Sequence, residues 1–262
     1  CSGAWTMILG ENGTGTFNMS GGTMSIQHEV AVGINGSASL TISDGNLIAE
    51  KFLIGGPNGT FTISGNANIS MTSDLLVGRQ AGTGTLNMTG GTCSGSWKII
   101  VGDGSGSVGT MNVSGGTLQT QRELIIGNGG GTGTLNISDD GTIDAETLYI
   151  GYGSGSDGNC VMTGGLIKLA NNLIIQTAPD ANGIMHFSGG MIVIENHNRV
   201  SDILQLIADG KTKTLIGAQV ISEEIVSSTV DKLAVAIACK MPLIKLVQID
   251  SCYSPHVQED QL

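Results

Sequence analysis

The acidic residues of this sequence bunch once, at Asp139, Asp140, Asp144 and Glu146. Glycoside hydrolysis needs two carboxylates at a fixed separation, one of them kept protonated. This group falls on a turn and the strand edge after it, with no apolar surround to hold a proton, so it reads as a solvated turn. Enzymes that act on acidic polysaccharides gather Asp, Lys and Arg on one face. Here Arg79, Arg122 and Arg199 occupy unlike positions of the repeat described below. His28, His186, His197 and His256, taken with the cysteines, show no zinc spacing. Asp103-Gly-Ser-Gly and Gly-Ser-Asp157-Gly resemble calcium loops faintly, but the nonapeptide calcium repeat is absent. Strings such as Gly13-Thr-Gly15 open strands, not helices, and so lack the helix N-terminus that phosphate binding uses. No catalytic residue, metal ligand set or cofactor site is expected, and the chain is read as a non-enzyme. Asn-X-Ser/Thr sequons occur at Asn12, Asn18, Asn35, Asn58, Asn68, Asn87, Asn112 and Asn136. They would be glycosylated only in a host with that secretory route.

Composition narrows the class. Glycine supplies 42 of 262 residues, aromatics 3% and charged residues 13%, yet 40% of the chain is hydrophobic. Charge at about half the usual roughly 25% with ample apolar content excludes a disordered chain. Four prolines exclude collagen. A net charge of −11 argues against a nucleic-acid partner. The longest apolar run, Leu233 to Cys239, is far short of the ~20 residues a membrane span needs. The opening CSGAWTMILG has neither a basic nor a long apolar stretch, as in a mature secreted chain or a fragment.

Such a chain must bury its apolar atoms in a thin, repetitive way, and the repeat is legible. An apolar triplet closed by Gly recurs: Met7-Ile8-Leu9-Gly10, Val30-Ala31-Val32-Gly33, Phe52-Leu53-Ile54-Gly55, Leu75-Leu76-Val77-Gly78. It continues as Ile99-Ile100-Val101-Gly102, Leu124-Ile125-Ile126-Gly127, Leu148-Tyr149-Ile150-Gly151 and Leu173-Ile174-Ile175-Gln176. The steps are 22 to 25 residues. A second motif follows each time, as GTFNMSGGT from Gly15, GTLNMTGGT from Gly84, GTMNVSGGT from Gly109 and GTLNISDDGT from Gly133. Each copy holds three short strand-like stretches separated by Gly, Asn, Asp and Ser turns. Three strands per ~24 residues close no core alone but stack into one. The expected fold is all-β, a three-faced parallel β-helix of about eight coils. The crossover rule favours a right-handed one.

Strand alternation sorts the side chains. On the second strand Phe17, Leu40, Phe61, Leu86, Met111, Leu135, Cys160 and Met185 form one inward column. Between it and the next runs an outward polar ladder, Asn18, Thr41, Thr62, Asn87, Asn112 and Asn136, continued by Val161 and His186. On the first strand the outward column is itself apolar: Ile8, Ala31, Leu53, Leu76, Ile100, Ile125, Tyr149 and Ile174. A strand apolar on both sides is usually covered on both sides, so this stripe is a candidate interface. Its cover is expected to be the C-terminal segment or another molecule.

Residues 1–199 are read as the solenoid and 200–262 as a C-terminal cap or assembly segment, with a short helix over 202–209 and strands beyond. Ser201 is a suitable N-cap and Gly210 a suitable stop for that helix. Cys93 and Cys160 sit in core columns, whereas Cys239 and Cys252 could form a disulfide, leaving Cys1 odd.

The run Ile-Gly…Gly-Thr-Gly-Thr-Leu-Asn-x-Ser-Gly-Gly-Thr, with the segment Asn198–Lys211 after it, resembles the passenger repeats of bacterial autotransporter-like and planctomycete-like surface proteins. The resemblance spans residues 1–211 loosely and implies an extracellular or cell-surface setting. The expected role is a self-assembling fibre or surface-layer subunit stacking head to tail on copies of itself. The alternative is an adhesin or glycan-binding module on the Asn/Thr face, with surface glycans as partners. A polysaccharide lyase or hydrolase is the third reading.

Overall fold

The computed structural model describes residues 2–195, 203–208 and 215–221, with side chains from Trp5 to Glu195. The chain divides into two compact units, Cys1–Asn196 and His197–Leu262.

The first unit is all strand. Its elements are β1 (Ser2–Leu9), β2 (Gly15–Val32), β3 (Ser37–Ala49), β4 (Lys51–Ile54), β5 (Asn58–Ile63), β6 (Asn68–Met71), β7 (Leu75–Arg79) and β8 (Thr83–Gly95). They continue as β9 (Ile99–Asp103), β10 (Val108–Thr120), β11 (Glu123–Asn128), β12 (Thr132–Ile137), β13 (Thr142–Tyr152), β14 (Asp157–Ile175) and β15 (Asn182–Ile194). These fifteen strands form one continuous sheet, whose strand pairings are parallel and join residues about one repeat apart. On the first face Leu76 pairs with Ile100, and Ile125 with Tyr149. On the second Asn87 pairs with Asn112, and Asn112 with Asn136. On the third Leu118 pairs with Ile143. The unit is a β-solenoid of about eight turns. At ~4.8 Å per coil it is about 38 Å long.

The core follows from the inward columns. Phe61, Leu86, Met88, Leu135 and Ile126 have no exposed surface. Phe52 and Phe61 arrive from adjoining faces of one coil and stack with centroids 5.7 Å apart. Cys93 and Cys160 are buried free thiols, and burial pushes both up to about 12, so they pack as small apolar groups. Cys1, Cys239 and Cys252 lie outside the described residues. Thr120 faces the core and donates its hydroxyl to the Trp97 carbonyl, which satisfies a polar group that would otherwise be costly to bury.

Glycine is needed at the corner between first and second strands. A Cβ on Gly109 would lie 2.1 Å from the Val77 oxygen and 2.4 Å from the Gly102 nitrogen, with Gly102 itself at φ +77°. The same approach recurs at Gly84, Gly133 and Gly158. The one exception in this column is Ala38.

The second unit corrects one expectation. Residues 203–208 are not helical: Ile203–Ala208 is a strand, β16, paired antiparallel with β17 (Leu215–Ile221), Ile203 opposite Ile221. The apolar spacing of Ile203, Leu204, Leu206 and Ile207 suits either period. A six-residue segment is too short to repay helix nucleation. A β-branched partner strand close by supplies the hydrogen bonds instead. Ser201 and Gly210, the expected caps, lie outside the described residues.

The corner contact separates two kinds of glycine. Gly109→Ala should cost about 3 kcal/mol through backbone overlap. Gly104→Ala, whose Cβ meets nothing within 4 Å at φ +86°, should cost about 1 kcal/mol of torsional strain. Thermal melts followed by circular dichroism should drop about 10 °C and about 3 °C respectively. Equal drops would contradict the close-approach argument.

Candidate interaction faces

The acidic group of Asp139, Asp140, Asp144 and Glu146 does not converge. Asp139 and Asp140 are exposed at a turn, Asp139 with φ +48°. Asp144 faces out of β13 in register with Lys168. The Glu146 carboxylate accepts a 2.9 Å hydrogen bond from the Asn171 amide. Asp103 and Asp157 also serve the solenoid, each accepting from the Asn one coil on, Asn128 at 2.7 Å and Asn182 at 2.9 Å. Among the described residues no group of three or more His, Cys, Asp or Glu is placed to hold a metal ion. Among them, too, no helix is long and apolar enough to cross a membrane.

The polar ladder on the second face is a structural chain of amides. Asn112 donates to Asn87 at 2.8 Å and Asn136 donates to Asn112 at 2.8 Å, all three half-buried. Asn18 is exposed, and Thr41 and Thr62 are half-buried in the same column. A second ladder on the third face joins Asn68 to Asn46 and Asn46 to Thr23. The polarity of these faces changes in the last two coils. Val161 and His186 follow Asn136, Leu166 and Met191 follow Thr142, and Ile184 follows Asn159. Ile184 and Met191 are exposed.

The apolar stripe on the first face is not uniformly bare. Leu76, Ile100 and Ile125 are buried and form an apolar cluster separate from the core, with Leu53 and Tyr149 packed against it. Ile8 is 43% exposed, and Ile174 is half-buried. Ala31 is the one short residue in the column. Above it opens a cleft of about 300 Å³, walled by Glu29, Ile34, Leu53, Arg79 and the backbones of Gly33 and Gly55. At the other end Tyr149 packs edge-on against Tyr152, centroids 4.9 Å apart. Partial burial, then the Glu123 carboxylate, raise the Tyr149 phenol above its ordinary range.

Two flanking columns complete this face. Two residues before each stripe residue stand Thr6, Glu29, Lys51, Asp74, Lys98, Glu123, Thr147 and Asn172, whose charges alternate in sign over five coils. Lys51 Nζ lies 3.2 Å from Glu29, and Lys98 Nζ lies 3.6 Å from Glu123. Lys98 donates its backbone N–H to the Asp74 carboxylate. Three residues after the stripe stand Arg79, Asp103, Asn128 and Tyr152, in register with one another. Ile34 occupies the same position in the second coil. Arg79 makes no ion pair within 4 Å among the described residues. The alternating column is visible in the sequence once the triplets, and not the motifs, are aligned.

No protein-family model, curated protein or solved structure matches the chain.

The Asn87–Asn112–Asn136 chain makes a direct forecast. Asn112→Ala removes both amide bonds of the central residue at a half-buried site, at a cost of about 1–2 kcal/mol. Thermal denaturation should shift down by about 5 °C with unchanged β-type circular dichroism. An unchanged midpoint would mean that the amides are exchanged for water without loss.

Proposed function

We propose that the chain is a structural subunit of an extracellular or cell-surface assembly, adding end to end on copies of itself. The observation that carries this reading is the contrast between the middle and the rims of the solenoid. Inward residues of the central coils are wholly buried, whereas Met7, Leu9, Phe17 and Met24 in the first coil are only partly covered. So are Leu173, Met185, Phe187, Ile192 and Ile194 in the last. Among the described strands β1 pairs only with β2, and β15 only with β14. Partly covered core residues in an end coil are covered by one more parallel coil, whatever supplies it. Supplied by a second molecule, head to tail, that coil leaves the same edges open again and the series does not close. The likeness of the repeats to autotransporter-like and planctomycete-like passenger sequences supports the cell-surface setting. The bonded Asn ladder weighs against the alternative of a glycan-binding face there, because its central amides are already engaged with one another.

Negative-stain microscopy and sedimentation of the purified chain test this reading. Particle length should grow with protein concentration. It should also grow with ionic strength, because copies carrying −11 repel and salt screens that repulsion. Phe187→Lys, which charges the partly covered C-terminal rim, should shorten the particles while β-type circular dichroism persists. Particles of one coil-stack length under all these conditions would overturn the proposal.

A further inference from the structure

The first face is complementary to itself, and we propose that it binds a second copy of this chain, antiparallel and side by side, in a closed dimer. This pairing uses the flank of the solenoid and is independent of end-to-end addition.

Number the coils one to eight from Ile8 to Ile174. A two-fold axis lying in the face along the strands, between coils four and five, puts coil n opposite coil 9 − n. It leaves each column facing its own copy. The alternating column then sets Asp74 against the partner's Lys98 and Lys51 against the partner's Glu123. On the other flank Arg79, which lacks an ion pair among the described residues, meets the partner's Asp103. In the stripe, Ala31 with its cleft of about 300 Å³ faces the partner's Tyr149, the one aromatic residue of the column. Beside it Ile34, 38% exposed, faces the partner's Tyr152, 40% exposed. The smallest residue thus meets the largest, and three columns match under one operation.

The register is specified by repulsion as well as attraction. A slip of one coil sets Lys51 against the partner's Lys98 and Glu29 against the partner's Glu123, or Lys98 against its own copy. Like charges directly opposite are destabilising and exclude those registers. The centre of the stripe is already buried, so the contact is carried by the two flanking columns and by the ends of the stripe, Ile8, Ala31 with its cleft, and Tyr149. An interface in which the same patch serves both copies closes at two.

Sedimentation velocity on the full chain should find a species near twice 26.7 kDa. Arg79→Glu should weaken dimerisation at least about tenfold, and Arg79→Glu/Asp103→Arg, which restores opposite charges across the axis, should recover it. Ala31→Tyr should weaken it by filling the cleft, and Ala31→Tyr/Tyr149→Ala, which exchanges knob and hole, should recover it. Circular dichroism confirms folding of each variant. A monomer at all concentrations overturns the pairing, as does a dimer indifferent to Arg79→Glu and Ala31→Tyr. Folded double variants that fail to recover dimerisation overturn the register. An open-ended series without a preferred dimer supports end-to-end addition alone and overturns this inference.

Discussion

The contact on which the rest of this structure depends is backbone against backbone at the corner between the first and second strands. There the chain turns at a glycine such as Gly102, φ +77°, and passes back so closely that Gly109 has no space for a methyl group. Glycine at both positions lets the chain turn this tightly, and it stands at both in six of the eight coils, Ala38 and Gln176 being the exceptions. The tight corner keeps each coil narrow, and a narrow coil has space for aliphatic side chains and few rings. The low aromatic content and the abundance of glycine are therefore one fact. Each glycine costs backbone entropy on folding, and the cost is offset by continuous parallel pairing above and below every coil.

Stacking of identical positions then decides what each face can do. Inward columns fuse into a single core with little exposed surface in the central coils. Outward columns place like residues ~4.8 Å apart, so each column must be a hydrogen-bonding chain, a set of alternating charges or a row of apolar groups. All three occur. Asn87, Asn112 and Asn136 bond in series. Glu29, Lys51, Asp74, Lys98 and Glu123 avoid like neighbours by changing sign at every coil. The stripe beside them buries its own centre and leaves a notch and two tyrosines near its ends. Specific recognition in a repeat protein resides where the repetition is broken, and Ala31, Arg79, Tyr149 and Tyr152 are such breaks.

The fold was legible in the sequence because its period is enforced by the corner glycines, which survive in seven of the eight triplets. Inward and outward columns followed from alternation alone. What was not legible is instructive. The stripe reads as uniformly apolar, yet whether Leu76, Ile100 and Ile125 are exposed depends on side chains flanking them in space. Ile203–Ala208 could not be told from a helix, because its partner strand lies beyond it and a short apolar run fits both periods. The alternating charges were available, but only to a reading that compares columns rather than motifs.

Everything above depends on the coil register, in which residues one repeat apart are stacked neighbours. Paired cysteines measure it directly. Asn112→Cys/Asn136→Cys places two thiols on parallel neighbours in register, within disulfide reach, whereas Asn87→Cys/Asn136→Cys places them two coils apart. The first pair should oxidise rapidly in the folded protein and the second not at all. Failure of the first pair to close, or equal closure of both, would contradict it.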